Sequence, residues 1–124
     1  MEKIDYKKQI DETMLKMAHE PENTANYHEL ARLYALQGKY DNVVSIYESL
    51  LNIHPNDSQA IINLGGVCFY HKDYPKAIEY YEKALKLEPK NYIIYFNLGN
   101  VYAEMKNFSK ALHNYNNALD LYSK

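Results

Sequence analysis

Pro21, Pro55 and Pro89 stand 34 residues apart, and the residues around them recur at the same interval. Ile62-Asn63-Leu64-Gly65-Gly66-Val67 returns one period later as Phe96-Asn97-Leu98-Gly99-Asn100-Val101. Self-similarity at a period of this size means stacked copies of one supersecondary unit, because a lone unit cannot bury its own apolar face. Such arrays present surfaces rather than reactive clefts. The period therefore narrows both the fold and the kind of function to look for.

Within each period the apolar residues fall at helical spacing in two bursts. In the middle period these are Ile61, Leu64, Gly65, Cys68 and then Tyr74, Ala77, Ile78, Tyr81, Ala84, Leu85. Steps of three and four put each burst on one face of a helix. Short polar stretches separate them: Gln37-Gly38-Lys39, His71-Lys72-Asp73 and Glu104-Met105-Lys106-Asn107. The first has a glycine where a helix ends. Pro75 falls in an opening turn, where its missing N–H matters little. The three spaced prolines close the units, and Asn or Asp residues follow them to cap the next helix. The pattern predicts a helix over roughly 3–19 and helix pairs over about 24–54, 58–88 and 92–121. No segment alternates as a strand would.

The middle unit, Ile61-x-x-Leu64-Gly65-x-x-Cys68, then Ala77-x-x-x-Tyr81-x-x-Ala84 and Pro89, resembles the tetratricopeptide repeat. The third unit keeps its register through Tyr95, Leu98, Gly99, Tyr102, Ala111, Tyr115 and Ala118. The first does so through Tyr27, Leu30, Ala31, Tyr34, Tyr47, Leu50 and Pro55. The resemblance implies an all-α, right-handed superhelical solenoid of three helix pairs with an extra N-terminal helix. Its expected division is a capping half repeat over 1–23 and repeats over 24–57, 58–91 and 92–124. Val43 stands where the motif has a small residue, and Cys68 where it has a large one. Residues 6–21 fit only loosely, with Gln9, Thr13 and Lys16 at core positions, as suits a cap facing water. The tyrosines at motif positions are expected to fill gaps between helices rather than to form a ligand box.

Composition excludes several alternatives. An apolar share of 47% with 24% charged residues belongs to a folded chain and not a solvated tail. A net charge of −2 supplies no field to gather nucleic acid, and Arg32 is the sole arginine for bidentate phosphate recognition. Cys68 is the single cysteine, so one chain can form neither a disulfide framework nor a thiolate metal site. No apolar stretch approaches the ~20 residues of a membrane span. The acid-containing start Met1-Glu2-Lys3-Ile4-Asp5 lacks the run of a signal peptide. The expected setting is cytoplasmic, without membrane insertion, nucleic acid, metal or cofactor. The histidines His19, His28, His54, His71 and His113 lack ligand spacing, and no motif carries catalysis. His54 is expected to cap helix-end carbonyls, and Cys68 to be an inert buried thiol. The chain is therefore read as a non-catalytic protein-interaction module.

In the family the first helix of each pair lines a concave face. Carried over, that geometry places His28, Glu29 and Arg32 of the first unit in a peptide groove. It adds Ile62, Asn63, Gly66, Phe69 and Tyr70 of the second unit and Ile93, Phe96, Asn97 and Asn100 of the third. In some relatives asparagines at the places of Asn63 and Asn97 hold the backbone of an extended peptide, since an amide both donates and accepts. Relatives that clamp chaperone C-termini use a Lys/Asn-rich set that only Asn63 matches, so that subclass is not expected. A second reading starts from the last unit. Terminal repeats ordinarily carry a polar cap, yet the sequence stops at Leu121-Tyr122-Ser123-Lys124 without a further helical segment. Met105, Leu112, Leu119 and Leu121 are then expected to be partly exposed and to form a homo-oligomer interface.

Overall fold

Each repeat starts from the same local hydrogen bonds. The computed structural model describes residues 5–124, and in them seven helices and no strand. The helices are α1 (Tyr6–His19), α2 (Thr24–Leu36), α3 (Tyr40–Ile53), α4 (Ser58–Tyr70), α5 (Tyr74–Leu87), α6 (Tyr92–Glu104) and α7 (Phe108–Tyr122). The N-caps of α2, α4 and α6 are Asn23, Asp57 and Asn91. Their side-chain oxygens accept from Ala25 N (3.1 Å), Ala60 N (3.0 Å) and Ile93 N (3.0 Å). Asp73 and Asn107 do the same for α5 and α7, while Lys39 at α3 makes no side-chain cap. Each such oxygen satisfies an N–H that the helix itself leaves unpaired.

The turns inside the pairs are equally regular. Gly38, Lys72 and Lys106 have φ of 72°, 64° and 63°, the left-handed conformation. The next residue reaches back over the helix end: Lys39 N to Tyr34 O, Asp73 N to Cys68 O and Asn107 N to Tyr102 O, at 3.0, 2.8 and 2.9 Å. With Gly38 N, Lys72 N and Lys106 N bonded to Ala35 O, Phe69 O and Ala103 O, this is the Schellman closure at all three turns. Only Gly38 adopts that φ without a Cβ penalty; the two lysines are held there by the paired bonds.

The helices form two compact units, one through Pro55 and one from Asn56 to Lys124. In the first, α2 packs against α1 and α3. Leu30, Ala31 and Leu33 of α2 are buried, as are Val43, Tyr47 and Leu50 of α3. Of the three polar residues expected at core positions of α1, only Thr13 is buried; Gln9 and Lys16 are exposed. Thr13 is tolerated because its hydroxyl donates to Gln9 O at 2.8 Å. His54 caps α3 through its backbone N–H, which donates to Leu50 O at 2.7 Å, while its ring stands 3.8 Å from Glu22.

Asn26 of α2 has no such compensation. It is 8% exposed, and its side-chain Nδ2 is buried without a partner. One and two periods later the same position holds Ala60 and Ile94, both fully buried. An unpaired buried polar group costs about 1–3 kcal/mol. Asn26→Ala therefore removes that penalty at the expense of some packing, and we expect a net gain of roughly 1 kcal/mol. Chemical denaturation with an unchanged slope is the measurement; a loss would mean that the amide is hydrogen-bonded in solution.

In the second unit α4 packs on α5, α6 on α7, and α6 also lies against α5 and α4. Its buried residues are Ala60, Ile61, Leu64 and Gly65 of α4, Ala77, Tyr81 and Ala84 of α5, Ile94, Leu98, Gly99 and Val101 of α6, and Ala111 and Ala118 of α7. Helix-interior glycine costs about 1 kcal/mol against alanine, so something must offset it. A methyl group on Gly65 would stand 2.8 Å from Tyr81 Cε1, and one on Gly99 2.5 Å from Tyr115 Cε1. The two glycines thus make room for the tyrosine rings of the following helix.

Candidate functional site

The second unit carries two hollows that share no lining residue. The first, of about 320 Å³, is lined by Ile62, Asn63, Gly66 and Phe69 of α4, Tyr81 of α5, and Asn97 and Asn100 of α6. Ile62, Asn63, Gly66 and Phe69 follow steps of one, three and three along α4 and so reach one side of it. Tyr81 closes the floor: a methyl on Gly66 would lie 3.7 Å from its hydroxyl oxygen. Burial pushes the Tyr81 phenol up to about 12, so the hydroxyl stays protonated at neutral pH.

Three side-chain amides, those of Asn63, Asn97 and Asn100, line this hollow beside the apolar residues. Gln59 Nε2 donates to Asn63 Oδ1 at 3.3 Å, and the Tyr115 hydroxyl donates to Asn100 Oδ1 at 2.6 Å. Phe69 is held at the other end by a tilted contact with Tyr74, ring centroids 5.9 Å apart. The arrangement offers amide donors and acceptors beside aromatic and aliphatic surface, a combination suited to a peptide backbone with bulky side chains.

The second hollow, of about 490 Å³, lies between α6 and α7 and is lined by Tyr92, Ile93, Phe96, Tyr115, Ala118, Leu119 and Tyr122. Tyr92 and Tyr122 meet edge to face at 5.2 Å, and Phe96 tilts against Tyr115 at 5.8 Å. Of the residues expected in one groove, the structure brings Ile62, Asn63, Gly66, Phe69, Asn97 and Asn100 together. Ile93 and Phe96 belong to the second hollow. Tyr70 lines neither; it is exposed, with its ring edge-on to His71 at 5.4 Å.

His28, Glu29 and Arg32 belong to the first unit. The His28 ring is half-buried against Tyr47 at 5.7 Å. Arg32 grips Glu29 with two bonds, Nε to Oε2 at 2.9 Å and Nη2 to Oε1 at 2.6 Å. That bond holds the Glu29 carboxyl below the usual carboxylate range and raises the Arg32 guanidinium. Being exposed, the pair adds little stability, but each charge neutralises the other for any ligand.

Of the residues expected at an oligomer interface, Met105, Leu112 and Leu119 are exposed and Leu121 is half-buried. Only Leu119 lines a hollow. Tyr81, Tyr92, Tyr115 and Tyr122 are lining residues that sequence reasoning did not name for a site. Cys68 is half-buried, with its thiol pushed up by burial. Among the described residues no three His, Cys, Asp or Glu side chains come together to hold a metal ion, and no helix is long and apolar enough to cross a membrane.

Paired antiparallel helices on a 34-residue period, with glycine-to-tyrosine packing in each of the last two pairs, define a helical-repeat protein of the tetratricopeptide class. The chain belongs to the tetratricopeptide-repeat family. A model described as TPR repeat matches residues 65–106, and models described as tetratricopeptide repeat match 27–61 and 92–124. Members of this family serve as protein-interaction modules, generally without catalysis. No curated protein matches the chain by sequence.

Among solved structures, a crystal structure of MamA superposes with a TM-score of 0.81 at 20% identity, covering 94% of this chain and 68% of that one. MamA 41-end from Desulfovibrio magneticus RS-1 gives 0.81 at 18% identity, covering 96% and 67%. A further MamA crystal structure gives 0.82 at 18%, covering 96% and 65%. At these identities the likeness is one of fold. The chain spans about two-thirds of the length of each.

Proposed function

We propose that this chain is a non-catalytic protein-interaction module that holds an extended peptide of a partner protein against α4 and α6. The observation that carries the reading is the hollow that Asn63 and Asn97, one repeat apart, line together with Asn100, Ile62 and Phe69. Amides spaced by a structural repeat match the regular donors and acceptors of an extended backbone. The apolar floor gives bulky side chains a place to go. The reading divides the chain into a half repeat over 1–23 and repeats over 24–57, 58–91 and 92–124. It places the chain in the cytoplasm, on the strength of a composition with one cysteine.

The test is selection of peptides from a random displayed library with the full chain, followed by calorimetric titration of the selected sequences. Binders should carry bulky apolar residues. Asn63→Ala combined with Asn97→Ala should weaken them about ten- to hundredfold, as expected for the loss of two or more hydrogen bonds. Affinities unchanged in that double variant would remove this hollow as the site.

A further inference from the structure

Gly66 lies in the middle of α4, where glycine is unfavourable against alanine unless something offsets it. For Gly65 the ring of Tyr81 is that reason. For Gly66 there is none of this kind: a methyl there would meet only the Tyr81 hydroxyl, at 3.7 Å, an ordinary contact. The same place holds Arg32 in the first repeat and Asn100 in the third. The middle repeat alone omits the side chain, and Gly66 lines the hollow shared by Asn63 and Asn97.

The Tyr81 hydroxyl stands beneath that omission. Tyr81 is 3% exposed, and among the described residues its hydroxyl has no hydrogen-bond partner. A buried hydroxyl ordinarily has one, because leaving it unpaired is costly. One period later the molecule supplies the partner itself, as the Tyr115 hydroxyl donates to Asn100 Oδ1 at 2.6 Å. Tyr81 corresponds to Tyr115 and Gly66 to Asn100, so the middle repeat keeps the donor and lacks the acceptor. With its phenol pushed up by burial, Tyr81 remains a donor at neutral pH.

The third repeat also shows which acceptor suits the place: the oxygen of an amide. None of the residues lining the hollow is charged, so a carboxylate there would have no counter-charge among them. A neutral carbonyl meets no such cost. Glycine is moreover the residue that lets a second backbone approach a helix closely.

We propose that Tyr81 is a peptide-binding residue, whose hydroxyl donates to a backbone carbonyl of the bound segment seated at Gly66, as the Tyr115 hydroxyl donates to Asn100. This rests on an extended peptide occupying the hollow, as proposed above, and assigns the group that reads its backbone there.

The test uses the full chain and the peptides selected from the displayed library. Tyr81→Phe should keep the fold and weaken the peptides about three- to tenfold, the loss of one hydrogen bond. Gly66→Asn should fold at least as stably as the parent and weaken them at least about a hundredfold, since its amide fills the notch and takes the hydroxyl. A stability cycle reads the notch with no peptide present. Gly66→Asn should raise the folding equilibrium constant about three- to tenfold more in the parent than in Tyr81→Phe. No coupling in that cycle overturns the proposal. Affinities that fall in the Asn63→Ala, Asn97→Ala variant but not in Tyr81→Phe overturn the role of the hydroxyl alone. Affinities unchanged in all three variants remove the hollow as the site, and this role with it. Replacing each Asn or Gln of a peptide by Ala separates the two kinds of amide. If one such change abolishes the effect of Tyr81→Phe, the carbonyl belongs to a side chain and the backbone assignment is overturned.

Discussion

Tyr81→Ala is expected to lower the unfolding free energy by about 3–5 kcal/mol, the range for deleting a buried aromatic ring. Tyr81 is 3% exposed, and its ring lies flat enough on α4 that no Cβ fits at Gly65. A core usually relaxes into a new void by collapse of neighbouring side chains. Here the neighbour is a glycine, with nothing to move inward, so the upper part of the range applies. Domains of this size hold only about 5–15 kcal/mol in total, and a loss of this size would leave the second unit partly unfolded at moderate denaturant. Tyr81→Phe keeps the ring and should lie within about 1 kcal/mol of the parent. Guanidinium titration followed by helicity measures both. A loss below about 1 kcal/mol for Tyr81→Ala would mean that the ring is not packed as described.

Gly65→Ala is expected to destabilise by about 1–2 kcal/mol, although alanine is the better helix former. The methyl would stand 2.8 Å from one ring carbon of Tyr81 and 3.0 Å from two others, inside contact distance of a ring that is 3% exposed. Overpacking of this kind costs about 1–3 kcal/mol, against about 1 kcal/mol gained in propensity. The same change in a Tyr81→Ala background should be neutral or stabilising, because the clashing ring is gone. The two substitutions are therefore strongly non-additive. Gly99→Ala brings its methyl still closer to a ring, 2.5 Å from Tyr115 Cε1. Tyr115 is only half-buried and can swing outward by giving up its bond to Asn100. The expected order is a smaller stability loss at Gly99 than at Gly65. Double-variant denaturation decides it, and a reversed order would mean that Tyr115 is pinned as firmly as Tyr81.

How far the site was legible differs residue by residue. Asn63 and Asn97 could be paired from the sequence because identical places in a repeat occupy identical places in the unit. Their meeting with Asn100, Ile62 and Phe69 does not follow from that argument alone, since Phe96, at the place of Ile62 one repeat on, lines the other hollow. The separation of Ile93 and Phe96 from them could not be read. The 100° step of a helix tells which side a residue is on, but not which neighbour covers that side. The motif positions of Tyr81 and Tyr115 predict packing. They do pack, but each also reaches a hollow at the other edge of its ring. The Arg32–Glu29 pairing is another such case: residues three apart on a helix are within reach, and rotamers decide whether they join.

The elements themselves were determined by local chemistry that the sequence carries in full. A cap at Asn23, Asp57 and Asn91 acts over two or three residues, a left-handed turn at Gly38, Lys72 and Lys106 over five, and an amphipathic face over one helix. None of these needs a distant partner, so the 34-residue pattern sufficed for the helices and for the family. The tertiary structure alone decided what each face meets: that Gly65 and Gly99 accept tyrosine rings, that the hollow lined by Asn63 and Asn97 is distinct from the one lined by Tyr122, and that α6 packs on α5 and α4 as well as on α7. Those are contacts between residues far apart along the chain. They depend on which surfaces fit together once the helices exist, and no local preference encodes that.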